Sequence, residues 1–269
     1  LGQTLVEDCA GRGIRVRPVS ADAVGERASI AALFVDHAPW AVIDARLRRG
    51  SLADRSNGWS VRHTVERAGI LAEACAERSV PLVVVSSGLV FDGAKGVPYV
   101  ESDPVAPVDP QGKVHAAVEA IVAEHHPAAL VVRAGHLLPK AGIDVSPLGE
   151  HVGDRMTGLA TLADQTQRSS FAALPDLSAS LLDLLIDGER GVWHLAHPEP
   201  ASWEEIIRAC TAGDPDSSLV LSPEHVLAAP AAWPVLSSGG GVLGSERGWV
   251  MPPLSTAIAR WTQHVPSAG

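Results

Sequence analysis

The chain has 269 residues, of which 46% are hydrophobic, and it carries a formal net charge of −10 at pH 7. This length suits one α/β unit with a small appended lobe. The acidic balance argues against a nucleic-acid partner, because nucleic acids attract surplus lysine and arginine. No apolar run reaches the roughly 18–20 residues of a membrane span, and no signal peptide opens the sequence. We therefore expect a cytoplasmic protein with no membrane partner.

Cysteine and histidine spacing gives no sign of a metal site. The three cysteines are widely separated: Cys9, Cys75 and Cys210. Their odd number and spacing fit a reduced compartment and not a metal-binding motif. The close histidine pairs are His125–His126, at an expected helix end, and His194-x-x-His197, on opposite faces of an expected strand or beyond its end. We expect no bound metal.

The first 140 residues predict a doubly wound, Rossmann-like parallel sheet. Hydrophobic periodicity predicts helices over 1–12, 29–37, 63–78 and 111–124. Short apolar or alternating runs predict strands over 14–20, 40–44, 81–86 and 130–133, with a charged loop at 46–57. Strands that alternate with helices at this spacing are parallel and joined by crossover helices.

The remaining residues, 141–269, predict a smaller α/β lobe. Its predicted helices cover 176–187, 202–212, 222–229 and 255–264, and its predicted strand covers 191–196. Ser202 and Glu205 match a capping box. The segment Ser237–Gly241 lacks the preceding strand and following helix of a phosphate loop, and it reads as a linker.

Two segments carry a resemblance to a known family. Ser86–Gly93 (SSGLVFDG) resembles the strand-end segment of dTDP-4-dehydrorhamnose reductases, the ketoreductases that complete nucleotide-activated rhamnose. Pro98–Pro104 (PYVESDP) follows at the expected distance. Further matches at 71–75, 164–165, 191–196 and 202–203 extend the resemblance from residue 1 to about 261. The chain is thus similar to short-chain dehydrogenases/reductases of the extended, nucleotide-sugar type.

The resemblance places the family's catalytic Ser/Thr, Tyr and Lys at Ser87, Gln111 and His115. In the family the tyrosine transfers a proton while hydride moves, and the lysine lowers its pKa. The only tyrosine of this chain is Tyr99, and Asp103 stands four residues after it. A glutamine amide does not shuttle protons near neutral pH, so the standard chemistry has no proton donor here.

The resemblance also implies NADP or NAD as cofactor. The corresponding positions are Gly2, Asp44, Ala45, Arg46, Ser86 and Arg133. Gly2 matches the tail of a G-x-x-G-x-x-G loop, which lets backbone N–H groups approach a pyrophosphate, and we expect upstream residues to supply the rest. Asp44-Ala45-Arg46 replaces the family's Asn-Ala-Ala and puts a carboxylate and a guanidinium where a dinucleotide would lie.

Several residues have two interpretations. His115 is a general acid/base, or a partly buried histidine bonded to Glu119 or to the backbone. Ser87 orients a substrate carbonyl, or it forms a turn. Three carboxylates lie in the loop where the family builds its substrate pocket, and one of them is an acid/base or all are solvated: Asp92, Glu101 and Asp103. Trp249, like Trp233, is a candidate to stack on a base or sugar.

Two functions follow. The first is a non-catalytic binding or regulatory module that holds a nucleotide sugar, NAD(P) or another protein subunit. The second is an atypical NAD(P)-dependent nucleotide-sugar ketoreductase, or a non-redox enzyme, that uses His115 or a loop carboxylate.

Overall fold

A computed structural model describes residues 1–20, 24–46, 61–138, 168–202, 205–206 and 241–262. The helices are α1 (Gly2–Gly11), α2 (Arg27–His37), α3 (Val61–Glu77), α4 (Pro110–His125), α5 (Leu174–Ile186) and α6 (Leu254–Thr262). The strands are β1 (Val42–Asp44), β2 (Leu82–Ser87), β3 (Leu130–Ala134), β4 (His136–Leu138), β5 (Phe171–Ala173) and β6 (Gly191–Leu195). A 3₁₀ turn, Gly88–Val90, follows β2 directly.

Four strands form a parallel sheet in the order β1-β2-β3-β6. One row of backbone partners crosses the whole sheet, from Asp44 through Val84 and Val131 to Val192. Since all four strands run the same way, their carboxyl ends lie along one end of the sheet. Ligands bind at this end in open α/β sheets. The predicted doubly wound α/β fold is confirmed.

Helices cover both faces of this sheet. On one face α1 and α5 pack over inward residues such as Val83, Val132 and Leu195. On the other face α2, α3 and α4 pack over Leu82, Val84 and Val131. Alternate residues of each strand face opposite layers, so the continuous apolar run at 81–86 fills both cores. This is why β2 is buried along nearly its whole length.

The two edges of the sheet differ. At β6 the Glu101 carboxylate accepts the backbone N–H of His194 at 3.1 Å, and Arg247 donates to the carbonyls of Arg190 and Val192. Side chains therefore satisfy groups that an edge strand leaves unpaired. At the opposite edge no strand in the described ranges pairs with the outer side of β1.

One predicted strand is wrong. Residues 14–20 pair with no other strand, and Val16 and Val19 remain 40% and 43% exposed. Alternating apolar residues are not enough to form a strand. A strand is stable only when a neighbour pairs with its backbone and covers one of its faces.

The later elements follow the prediction with shifts of one or two residues at their ends. Helices α5 and α6 and strand β6 lie where expected. The capping box is confirmed, since Glu205 N–H donates to Ser202 Oγ at 3.1 Å and Ser202 N–H donates to Glu205 Oε2 at 2.8 Å. The predicted helix at 222–229, most of the one at 202–212 and nearly all of the linker lie outside the described residues.

After residue 140 the chain returns to the first sheet, because β6 pairs with β3. A separate two-stranded parallel sheet, β4–β5, packs with α6 in its own apolar cluster. The division at residue 140 stays a prediction, since 139–167 lie outside the described ranges.

Within the described ranges, no helix is long and apolar enough to cross a membrane. The same residues contain no group of three or more His, Cys, Asp and Glu side chains arranged to hold a metal ion. Cys9 and Cys75 are buried free thiols. Cys210 is not among the described residues.

Candidate functional site

The site begins where β2 ends. Ser87 is half-buried, and its Oγ accepts the backbone N–H of Leu89 at 3.3 Å, which caps the 3₁₀ turn. This contact is the one expected of a turn-forming serine. The orientation of a ligand carbonyl by Ser87 stays a prediction.

Helix α4 begins beside this turn. Asp109 caps the helix by accepting the N–H groups of Gln111 at 2.7 Å and Gly112 at 3.2 Å, and Pro110 is the first helical residue. A Cβ on Gly112 would lie 2.1 Å from the carbonyl oxygen of Leu89. Only glycine permits this approach, which brings the first turn of α4 against the end of β2.

Gln111 and His115 share one face of α4, as their spacing predicts. Their Nε2 atoms are 3.5 Å apart. His115 is 3% exposed, and its Nδ1 has no hydrogen-bond partner. Burial lowers the pKa of His115 to about 4, against the opposing pull of Glu119 and Asp109. The imidazole is therefore neutral at physiological pH, and it bonds neither Glu119 nor the backbone.

One helical turn after His115, Glu119 of α4 forms a buried ion pair with Arg133 that the sequence did not indicate. The guanidinium of Arg133 donates to both carboxylate oxygens of Glu119, at 2.7 Å from Nη2 and 3.1 Å from Nε. Ser86 Oγ donates to the same carboxylate at 2.5 Å. Ser86 and Arg133 were predicted to contact a cofactor. In the structure Ser86 and the Nε and Nη2 groups of Arg133 bind Glu119, and these contacts join strands β2 and β3 to α4.

The network continues to β6. Nη1 of Arg133 donates to the carbonyl of Glu101 at 3.4 Å and lies 3.5 Å from Nε2 of His194. Glu101, predicted to bind substrate, is 8% exposed and accepts three hydrogen bonds, from Ser245 Oγ, Glu246 N–H and His194 N–H. Burial opposes ionisation of Glu101, but these bonds outweigh it and lower its pKa.

The loop at 92–103 is braced by its own side chains. Tyr99 stacks on Phe91 with ring centroids 4.2 Å apart, and its hydroxyl donates to Asp92 at 2.5 Å. Asp103 pairs with Lys95 and accepts the N–H of Val100 at 2.7 Å. Asp92 and Asp103, predicted to bind substrate, thus hold the loop in shape.

These contacts set the charge of the loop. The hydrogen bond from Tyr99 lowers the pKa of Asp92, and the bond from Lys95 lowers the pKa of Asp103. Burial, and then the bond to Asp92, raise the pKa of Tyr99. The two carboxyls are ionised and accept protons poorly. The tyrosine is neutral, and its hydroxyl already donates a hydrogen bond to Asp92.

The end of β1 is closed by a local ion pair. The carboxylate of Asp44 accepts three hydrogen bonds from Arg46: Nε at 2.7 Å, Nη2 at 2.6 Å and the backbone N–H at 3.1 Å. Asp44 is 7% exposed. Arg46 is neutralised by this pair, so it offers no unpaired positive charge to a cofactor phosphate. Ala45 lies between them and is half-buried.

The other predicted contacts are scattered. Gly2 is exposed in the first turn of α1, with open space where a Cβ would point. Trp249 is 43% exposed. It lies between Arg247, which bonds Arg190 at the amino end of β6, and Val250, whose carbonyl accepts Ser180 Oγ in the middle of α5. The structure therefore does not place Trp249 beside Ser87 and Gln111. Trp233 is outside the described residues.

The family model of the RmlD substrate-binding domain matches residues 1–235. The chain belongs to this family. The dTDP-4-dehydrorhamnose reductase of Sinorhizobium fredii is 31% identical over 52% of this chain and 49% of its own length. The dTDP-4-keto-6-deoxy-D-glucose reductase of Streptomyces niveus is 25% identical over 69% of this chain and 64% of its own. The resemblance inferred from the two motifs is confirmed, and the aligned region spans less than two thirds of either relative.

Solved structures agree on the fold. The dTDP-4-dehydrorhamnose reductase of Bacillus anthracis, solved with NADP, superposes with a TM-score of 0.76 at 18% identity and covers 98% of this chain and 95% of that one. A UDP-glucose 4-epimerase of Thermotoga maritima, solved with UDP-glucose, gives a TM-score of 0.64 at 11% identity, with 98% and 95% coverage.

Proposed function

We propose that this protein binds a nucleotide-activated sugar and does not reduce it. The observation that carries the proposal is the pair at the start of α4, where the amide of Gln111 lies against the buried imidazole of His115. The sequence resemblance aligns these two residues with the family's tyrosine and lysine. Neither the amide nor the imidazole supplies a proton at neutral pH. Family membership supports the ligand class, and the residues argue against the reaction.

An atypical reductase would need another acid. Reduction of a keto sugar requires a proton donor whose pKa lies near the working pH. The candidates are His115, with a pKa of about 4, and three carboxyls with lowered pKa values. All four are deprotonated at neutral pH, so they fit ligand binding better than proton donation.

A nicotinamide cofactor and a protein partner belong to the proposal as secondary ligands. A structural neighbour solved with NADP supports the first, whereas the closed Asp44–Arg46 pair weighs against strong phosphate binding at the end of β1. A second protein subunit would give a non-catalytic nucleotide-sugar binder a regulatory role.

Calorimetry and a turnover assay test the proposal together. We expect dTDP-L-rhamnose to bind at micromolar concentration, and we expect no NADPH or NADH oxidation with a dTDP-4-keto-6-deoxy sugar. The double variant Gln111→Tyr/His115→Lys restores the family's pair and is the matched comparison for turnover. Reduction by the unaltered protein would refute the proposal, as would failure of the folded protein to bind any nucleotide sugar.

A further inference from the structure

Three side chains form a polar stripe along α4, one per helical turn: Gln111, His115 and Glu119. Residues four apart lie on one face of a helix. Gln111 is half-buried, whereas His115 and Glu119 are buried. The stripe thus runs from a half-buried residue beside the end of β2 to its buried inner end, Glu119.

The inner end of the stripe is fully occupied. The carboxylate of Glu119 accepts hydrogen bonds from Arg133 and Ser86. The positive charge of Arg133 is neutralised within the protein. An anionic ligand group that reached the stripe would therefore meet no unpaired cation. It would also be repelled by Glu119 and Asp109, the two carboxylates whose charges act on the pKa of His115.

The middle of the stripe is incomplete. The amide nitrogen of Gln111, which can only donate, faces Nε2 of His115 at 3.5 Å, and this contact favours the tautomer whose proton lies on Nδ1. Nδ1 itself is buried and has no hydrogen-bond partner. Buried polar groups are nearly always hydrogen-bonded, and an unpaired one calls for a specific explanation.

We propose that Nδ1–H of His115 is the donor that this site offers to an uncharged oxygen, a hydroxyl or keto group, of the bound sugar. The inference rests on the proposed function and names the ligand chemistry of the same site. The other orphaned atom among the described residues, Nε1 of Trp193, is on β6 beneath the guanidinium of Arg247.

Two amide substitutions separate the ring nitrogens. The side-chain nitrogen of asparagine occupies the place of Nδ1, and that of glutamine occupies the place of Nε2. We expect His115→Asn to bind dTDP-L-rhamnose within about twofold of the unaltered protein, and His115→Gln to bind about three- to tenfold more weakly, the loss of one hydrogen bond. His125→Asn, at the far end of α4, is the control. Equal affinity of the Asn and Gln variants, or the reverse order, would overturn the inference.

Nitrogen NMR of the imidazole adds a measurement that needs no ligand. We expect His115 to be neutral with its proton on Nδ1 throughout about pH 6 to 8, and ligand affinity to be flat over that range. A proton on Nε2 in a protein that binds the sugar would overturn this inference and leave the proposed function standing. A protein that binds no nucleotide sugar would overturn both.

Discussion

Replacing Glu119 by glutamine is expected to destabilise the fold strongly. The substitution keeps the size of the side chain and removes its charge. One carboxylate oxygen, which accepts a hydrogen bond from Arg133 at 2.7 Å, becomes an NH₂ group. Its N–H donors would then face the N–H donors of the guanidinium. Arg133 is 5% exposed and would remain as a buried charge without its counter-ion.

The magnitude follows from the burial of both partners. Breaking a buried ion pair by removing one partner costs about 3–5 kcal/mol, against a typical total stability of about 5–15 kcal/mol. For a chain of this size, each kcal/mol lowers Tm by about 2–4 °C. We therefore expect Tm to fall by about 6–20 °C. Glu124, exposed on the same helix, provides the control, since Glu124→Gln should change stability by less than about 0.5 kcal/mol.

Urea unfolding of single and double variants measures the effect. Glu119→Leu alone should be far less stable than the protein, and adding Arg133→Met should recover part of the loss, because two apolar groups can replace a buried pair at small cost. A Glu119→Gln loss below about 1 kcal/mol, with no recovery in the double variant, would show that the pair does not hold α4 to the sheet.

Three further outcomes are expected. Gly112→Ala should cost about 2–3 kcal/mol in urea unfolding, because its Cβ would meet the backbone of Leu89. Gly69→Ala should be nearly neutral, because its Cβ would meet only side chains, Ile121 at 3.0 Å and His125 at 3.6 Å. Tyr99→Phe should keep its stack on Phe91 and lose the bond to Asp92, which costs about 1–2 kcal/mol and raises the pKa of Asp92 towards its usual value, as carboxyl NMR would show. Stability should fall as pH drops below about 6.5, because the lowered pKa values of buried His115, His194 and His197 let the unfolded chain bind more protons. His115 alone contributes about 3 kcal/mol between pH 6.5 and 4, and His115→Asn should flatten that part of the profile.

Local patterns predicted most of the elements, because the periodic spacing of buried residues in a helix or strand can be recognised within a short stretch of sequence. The apolar run at 81–86 and the stripe of α4 needed no long-range information. The strand predicted at 14–20 failed for the opposite reason, since its stability depends on a partner elsewhere. The pairing of β6 with β3 joins residues about sixty positions apart, which is why the sequence placed that strand in the second lobe.

The interior of the site could not be predicted in the same way. Nothing near Glu119 marks it as the partner of Arg133, since one lies mid-helix and the other on a strand. Glu101 was noticed as a family position, but its contacts with His194, Ser245 and Glu246 come from distant segments. One local signal was available: Asp109-Pro110 is a strong helix start, and it would have placed the beginning of α4 correctly.

The fold and the chemistry of this family depend on different residues. The sheet, its two apolar faces and the Arg133–Glu119 pair hold α4 in place without any contribution from the hydroxyl or ammonium group that the family uses for reduction. The proposed replacement of those groups by Gln111 and His115 therefore leaves the helix where it is. On the proposed function, a chain can match the family over most of its length without a proton donor, and for this reason function must be argued from the site and not from the fold.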